Sequence, residues 1–165
     1  MLLLSRINID FLFLIEHEDR EAETVRRLCS GLRKGGYSTV TLSIPFHSHK
    51  FGRYVPKVVV FPFAIGQDTW RLSYFMQARY SQTRLVSLSW EQYLSKANLS
   101  FKKPRGHVVT RDLYHLAWIP EYKDFLTESG VDSKLISVIG SPNTELLNDK
   151  LSNMSLDDKR QSLGL

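Results

Sequence analysis

The chain alternates between short apolar runs and amphipathic segments. Residues 9–15 are almost wholly apolar, which is typical of a strand that is covered on both faces. In the segment that follows, apolar side chains recur at helical spacing, and Gly35 and Gly36 are expected to end this helix. Residues 38–44 alternate and are rich in β-branched side chains, which predicts a second strand. These elements form a βαβ unit, so the sequence predicts a parallel sheet with a right-handed crossover.

The same alternation continues along the rest of the chain. Further strands are predicted at 58–61, 84–88, 107–109, 113–118 and 135–139, and helices at 68–80, 121–129 and 142–151. Residues 45–52 are expected to form a loop or a short helix, and residues 94–105 a polar excursion. The predicted fold class is α/β, a Rossmann-like parallel sheet flanked by helices. We expect one domain of residues 1–151, and then a polar tail or helix of residues 152–165 that leads toward a second domain.

Composition excludes several classes of protein. With 42% hydrophobic and 24% charged residues, the chain is expected to fold as a globular domain. Cys29 is the single cysteine of the sequence, so neither a disulfide framework nor a thiolate zinc cluster is available. No apolar stretch reaches the roughly 18 residues of a membrane span, and the N-terminal apolar run lacks a signal-peptide cleavage site. A cytoplasmic protein is therefore expected.

The net charge of +5 favours an anionic partner. The basic residues are scattered, however, and only Lys102-Lys103-Pro104-Arg105 forms a short cluster. A nucleic-acid partner is not favoured, because it rests on charge alone and no nucleic-acid-binding motif is present. A solvated surface of modest positive charge explains the composition equally well.

Chemistry is expected where the predicted strands end, because open parallel sheets bind ligands beyond the carboxyl ends of their strands. The first such loop carries Glu16, His17 and Arg20. No glycine-rich phosphate-binding motif is present, so Glu16 and Arg20 are expected to bind hydroxyls or an anionic group. His17 is a candidate general base. The alternative is a helix N-terminus that carries acidic residues for electrostatic reasons.

The second loop contains two histidines, His47 and His49. Histidines at this spacing can ligate a metal, but no third ligand lies nearby in the sequence, and no metal is expected. They remain candidates for a base or for contact with substrate. An exposed loop without a function is the alternative.

The third loop, after the strand at 84–88, places Glu91 next to Trp90. Aromatic rings stack on the C–H faces of sugars while a carboxylate binds or deprotonates a hydroxyl, so Glu91 is the preferred general base and Trp90 a substrate contact. The alternative is a helix start with Trp90 in the core.

The fourth loop contains Gly140, Ser141 and Asn143 at a strand-to-helix turn. Free N–H groups at a helix N-terminus bind phosphate readily, so these residues are candidates for substrate binding. The alternative is that Ser141 or Asn143 simply caps the helix.

Three stretches, at 13–21, 86–92 and 117–147, together resemble the N-terminal half of bacterial surface-carbohydrate biosynthesis proteins with the GT-B fold. These are relatives of the glycosyltransferases and glycerophosphotransferases that build capsules, lipopolysaccharide and wall polymers. The first stretch resembles the first strand and its Arg-Glu loop, and the second a mid-domain strand with an acidic turn. The third ends in a turn where Ser141 replaces the family's usual Asn, and Asn143 its usual Arg or Lys.

The resemblance implies the acceptor-side domain of a glycosyltransferase-like protein, which transfers a sugar or sugar-like group from an activated nucleotide donor. It implies a glycan or lipid-linked acceptor and peripheral contact with the inner membrane face. A second Rossmann domain, absent from this sequence, would hold most contacts with the nucleotide-sugar donor, so the chain alone is expected to be inactive. No cofactor is expected. The alternative is a non-catalytic Rossmann-like module that docks a partner chain or a second copy of itself.

Overall fold

Six parallel strands form the centre of the protein, whose computed structural model describes residues 6–66, 78, 82–90, 92–142, 152 and 155. The strands are β1 (Ile7–Ile15), β2 (Thr39–Ser43), β3 (Tyr54–Phe61), β4 (Arg84–Ser87), β5 (Leu113–Ala117) and β6 (Ile136–Val138). They lie in the order β2-β1-β3-β4-β5-β6, and every neighbouring pair is parallel. The predicted α/β, Rossmann-like sheet is therefore confirmed.

Helices connect the strands on both sides of the sheet. They are α1 (Glu18–Lys34), α2 (Ile44–His47), α3 (Leu99–Lys102) and α4 (Pro120–Glu128), with 3-10 turns at Ser48–Arg53 and Ser133–Leu135. The chain leaves α1 at Gly36, whose φ of +84° suits a residue without a Cβ. The predicted first βαβ unit is therefore present.

The sheet separates two hydrophobic cores, and a third cluster packs α4 against β5 and β6. Leu12 and Leu14 of β1 lie in one core, whereas Phe13 and Ile15 lie in the other, where they meet Val25 of α1. Successive side chains of a strand point to opposite faces, so a strand that is covered on both faces needs apolar residues at nearly every position. This explains the almost continuous apolar run of β1.

The order of the strands reverses between β1 and β3. The chain passes from β1 outward to β2 and then returns to form β3 on the other side of β1. In open α/β sheets such a reversal leaves a crevice at the carboxyl ends of the two strands. Here that crevice lies beside the N-terminus of α1.

The prediction of a strand at 107–109 is wrong. Val108–Asp112 forms a π-helical turn instead, and pairing with β4 begins only at Leu113. Backbone groups of the turn find their partners locally or across the connection to β6: Thr110 N donates to Gly106 O (3.1 Å), and Asp132 N donates to Thr110 O (3.2 Å). The apolar pair Val108 and Val109 is buried in the core from this turn and needs no strand.

The predicted helices at 68–80 and 142–151 lie outside the described residues, apart from Ala78 and Pro142, which are both helical. In the described part of the chain, no helix is long and apolar enough to cross a bilayer.

Candidate functional site

The four loops selected from the sequence all follow strand ends at the same end of the sheet, which we call the carboxyl end. Neighbouring strands lie about 4.8 Å apart, so the six strands spread these loops over roughly 24 Å. His47, after β2, and Gly140, after β6, therefore lie at opposite sides of the sheet and do not share one site. The loops after β1 and β4 are separated by β3 alone.

The turn between β1 and α1 is built around a buried carboxylate. Glu21 is fully buried. Its Oε2 accepts a hydrogen bond from the backbone N–H of Glu16 (2.8 Å), and its Oε1 accepts one from Arg20 Nη2 (2.9 Å). A buried carboxylate is tolerated only with such partners. Glu16 and Arg20, predicted to contact a ligand, thus hold Glu21 in place, while His17 lies exposed at the start of α1.

His47 of the second loop lines a pocket of about 410 Å³ together with Ile15 and Glu18 of the β1–α1 turn. His47 Nδ1 accepts a hydrogen bond from the backbone N–H of Ser43 (3.3 Å), which fixes the ring against the end of β2. His49 is exposed on the 3-10 turn that follows.

At the far side of the sheet, Gly140 is exposed with a φ of +79°, and Ser141 is half-buried. Asn143 and the preferred general base, Glu91, lie outside the described residues, so their assigned roles remain predictions.

The end of β4 is held in a strained turn. The backbone N–H of Leu88 donates to Phe61 O (2.9 Å), and that of Trp90 donates to Pro62 O (3.0 Å), which carries the ladder beyond the strand. Between them Ser89 has a φ of +51°, which non-glycine residues rarely adopt. Its N–H and hydroxyl both lie 3.2 Å from Ser87 Oγ, so buried contacts stabilise the turn and fix the direction of Trp90.

An aromatic pocket of about 520 Å³ opens where β4 and β5 end. It is lined by Trp90, Gln92, Tyr93, Lys102, Trp118 and Ile119. The rings of Trp90 and Trp118 meet edge to face with centroids 5.7 Å apart, and Trp118 Nε1 donates to Leu88 O (3.1 Å). Trp90 is buried, and its Nε1 has no hydrogen-bond partner among the residues that the structure describes, an uncommon state for a buried indole.

Two residues that sequence reasoning missed hold this pocket together. The side chain of Gln92 is buried, donates to Leu116 O (3.0 Å) and accepts from the N–H of Trp118 (2.7 Å). It thereby ties the loop after β4 to β5. Lys102 is also buried and donates to Tyr93 O (2.9 Å). The sequence signal was a polar residue two positions after Trp90, but nothing local showed that it would reach the next strand.

A buried imidazole lies on β5, nearer the start of the strand than the aromatic pocket. His115 of β5 pairs with Ser87 of β4, and its Nε2 lies 2.8 Å from Val109 O. Burial lowers the pKa of His115, although the bond to the Val109 carbonyl acts in the opposite direction. Nδ1 is buried with no hydrogen-bond partner. The ring is therefore neutral at physiological pH, with its proton on Nε2.

A larger pocket, of about 720 Å³, lies at the opposite end of the sheet, where ligands of parallel sheets seldom bind. Its acidic side chain, Asp10, accepts hydrogen bonds from Lys57 Nζ (2.7 Å) and from the N–H and hydroxyl of Ser38 (2.8 Å each). Lys57 and Ser38 hold the pKa of Asp10 well below its ordinary value, and Asp10 raises the pKa of Lys57. The charges of Asp10 and Lys57 are therefore already paired with each other.

Within the described ranges, no group of three or more His, Cys, Asp or Glu side chains could hold a metal ion. Comparison with protein-family models, with curated proteins and with solved structures found no match to this chain. The fold defines an α/β protein of the Rossmann-like class, and two pockets open at the carboxyl end of its sheet: the aromatic pocket, and one of about 410 Å³ between α1 and the end of β2.

Proposed function

We propose that the chain is the acceptor-side domain of a glycosyltransferase-like protein of surface polysaccharide biosynthesis, and that the aromatic pocket binds a sugar of the acceptor. The observation that carries the proposal is the pairing of Trp90 and Trp118 at the carboxyl end of the sheet. Indole rings bury the C–H face of a pyranose, while polar groups at the rim bind its hydroxyls.

The pocket supplies both kinds of group. Tyr93 is 79% exposed, so its ring and hydroxyl are free to fold over a bound sugar. The buried N–H of Trp90 has no hydrogen-bond partner among the described residues, so a sugar hydroxyl that reached it would meet a free donor. Glu91 follows Trp90 directly in the sequence and remains the candidate base for deprotonating the acceptor hydroxyl.

The activated nucleotide-sugar donor would be held by a second domain, either in the same protein or in a partner chain. Glu16, Arg20 and Glu21 of the β1–α1 turn already engage one another, so their charges hold the turn. The chain by itself is therefore expected to bind sugar without transferring it. Steady transfer of sugar by the purified chain would contradict this part of the proposal.

Titration of the 165-residue chain with methyl glycosides of glucose, galactose, mannose and N-acetylglucosamine, followed by intrinsic tryptophan fluorescence and calorimetry, tests the site. At least one glycoside is expected to bind saturably. Tyr93→Ala should weaken that binding roughly tenfold, since stacked rings contribute about 1 kcal/mol or more. Tyr114→Ala removes an exposed ring of β5 that does not line the pocket, and it should leave affinity unchanged.

Either of two outcomes would contradict the sugar site. Either no glycoside binds saturably, or the Tyr93 and Tyr114 variants lose affinity equally.

A second candidate function, a non-catalytic module that docks a partner chain, is favoured by one further feature. Ile119 and Ile139 follow the neighbouring strands β5 and β6, and both are exposed at the carboxyl end, by 47% and 51%. Large apolar side chains shared by one surface often mark a protein interface. Sedimentation velocity of the chain, alone and with Ile139→Asp, tests self-docking: a dimer that the substitution dissociates would favour the scaffold function.

A further inference from the structure

Strand β2 lies at one end of the strand order, so among the described strands it pairs with β1 alone. The backbone N–H of Phe11 donates to Ser38 O (3.0 Å), which fixes the alternation of this ladder. In a parallel pair, only every second residue of a strand turns its N–H and C=O toward the neighbouring strand. The residues of β2 whose backbone groups face outward are therefore Thr39, Thr41 and Ser43.

Side chains cap this outer edge at both ends and leave its middle open. Arg33 Nη2 donates to Thr39 O (3.3 Å), and the backbone N–H of Ser43 donates to His47 Nδ1 (3.3 Å). Thr41 lies between them and is exposed, and in the described part of the chain its outward N–H and C=O have no hydrogen-bond partner. A strand edge with an unpaired donor and acceptor is a template for one more strand.

The pocket of about 410 Å³ between α1 and β2, which we call the edge pocket, lies beside this open position. Its apolar lining includes Ala22 and Val25 of α1 and the exposed ring of Phe46. The buried thiol of Cys29 also lines it and lies 3.7 Å from the hydroxyl of Thr41. A pocket between a helix and an edge strand accepts alternate side chains of an added strand, while the main chain of that strand pairs with the edge.

The charge around the edge pocket is positive. Residues 24–67, which include the second half of α1 and all of β2, contain seven Lys and Arg residues and neither Asp nor Glu. Arg26 and Arg33 line the pocket and lie about two turns apart on one face of α1. Glu23 pairs with Arg26, and Glu18 lines the pocket at the N-terminal end of α1. The excess positive charge therefore lies toward Arg33.

We propose that the edge pocket and the outer edge of β2 bind an acidic segment of a partner protein, which adds to the sheet as a further strand. The main chain of this segment pairs with the N–H and C=O of Thr41. Its acidic side chains contact Arg26 and Arg33, and its apolar side chains pack against Val25 and Phe46.

The positive charge selects this partner over a second copy of the chain. Two copies that paired through β2 would bring their basic residues together, and basic residues along a strand edge oppose such self-pairing. An acidic segment has the complementary charge. The proposal does not rest on sugar transfer, because the aromatic pocket lies beyond β4 and β5, on the other side of β1 and β3.

Selection of short random peptides on the full chain, followed by fluorescence anisotropy of the enriched peptides, tests the partner's chemistry. Enriched peptides should alternate Asp or Glu with apolar residues. Replacing their acids by Asn or Gln should weaken binding to the parent protein roughly tenfold, since each surface ion pair contributes up to about 1 kcal/mol. The same replacement should have little effect on binding to the double variant Arg26→Gln with Arg33→Gln, because the basic partners are already missing.

Proline substitution tests the strand edge. Thr41→Pro removes an outward N–H and keeps the ladder to β1, so it should weaken peptide binding roughly tenfold or more while the fold is retained. The matched control is Val138→Pro on β6, the strand at the opposite edge. There Ile139 N donates to Ala117 O (2.8 Å), so the N–H of Val138 also faces outward. This control should leave peptide affinity unchanged.

Amide hydrogen exchange of the parent protein tests the same contact without any variant. Saturating peptide should slow the exchange of the Thr41 N–H roughly tenfold or more. The proposal would be overturned if no peptide were enriched, if the enriched peptides had no acidic excess, or if exchange at Thr41 stayed the same. Equal loss of affinity in the Val138 variant would overturn it as well. A dimer of the chain that Thr41→Pro dissociates would assign the edge to a second copy and would also contradict it.

Discussion

The β1–α1 turn and the loop after β4 lie two strands apart at the carboxyl end of the sheet, yet they use their polar groups in opposite ways. In the β1–α1 turn, Glu21 is fully buried and accepts hydrogen bonds from the backbone N–H of Glu16 and the guanidinium of Arg20. After β4, Trp90 is buried with an indole N–H that has no partner, and an open pocket lies beside it.

This difference shows that a high content of charged residues does not by itself make a loop a binding site. The reversal of strand order between β1 and β3 would favour a ligand at the β1–α1 turn. There, however, the charged groups stabilise the turn itself. The loop after β4 contains a strained serine, aromatic faces and a hydrogen-bond donor without a partner among the described residues. These features are typical of ligand-binding sites.

The largest effect is expected from removing the carboxylate of the β1–α1 turn. Glu21→Leu should lower the free energy of unfolding by about 3 kcal/mol, because Arg20 and the N–H of Glu16 lose a buried charged partner. Glu23→Leu, two residues away, removes only exposed pairs with Arg26 and Arg27 and should cost less than about 1 kcal/mol. Urea unfolding of both variants measures the difference. Equal losses would mean that the Glu21 network contributes no more than a surface ion pair.

A smaller effect is expected from Gln92 at the other region. Gln92→Leu removes the acceptor of Trp118 N and the donor to Leu116 O, leaving two backbone groups without a partner. A loss of about 2 kcal/mol is expected, together with weaker glycoside binding, because the loop after β4 is released from β5. Asn98→Leu, which removes a part-buried bond from Ser95 N and an exposed bond to Tyr93 O, should cost less. If Gln92→Leu kept full stability, the amide would not be what joins the two strands at the pocket.

The pH dependence of stability should report on His115. Burial disfavours its protonated form, so the folded-state pKa lies below the ordinary value near 6.5 of the unfolded chain. The free energy of unfolding therefore keeps its full value above about pH 6.5. It falls as the pH drops below that value, by at most about 1.4 kcal/mol per pH unit for this one residue. His115→Gln should flatten the plot of unfolding free energy against pH between about pH 7 and 5, roughly the range over which histidine titrates. An unchanged slope in the His115 variant would show that another group dominates.

The smallest effect on stability is expected from Trp90→Phe. The lost ring volume leaves a small cavity, but the exchange also removes a buried donor that has no partner, so the net change should stay within about 1 kcal/mol. Glycoside affinity should nevertheless fall, which separates this residue from Glu21. Thermal unfolding and glycoside titration of the same sample compare the two quantities directly. A large loss of stability would show that Trp90 serves the core and not a ligand.

The order and kind of most described elements could be predicted, because they depend on short-range patterns. The helical spacing between residues 22 and 32 and the glycine pair after it led directly to α1. The error at 107–109 arose because Val108 and Val109 are β-branched and apolar, a pattern that a buried π-helical turn satisfies as well as a strand does. Trp90 could be selected from composition, whereas Gln92, Lys102 and Trp118 could not, since their partners lie on other elements.

The sequence by itself determined the parallel α/β architecture, since apolar periodicity and turn residues act within a few positions of the chain. Only the tertiary structure decided which polar groups satisfy one another. Hydrogen bonds such as those of Glu21 and Gln92 depend on distances across strands, and these distances exist only once the sheet has formed.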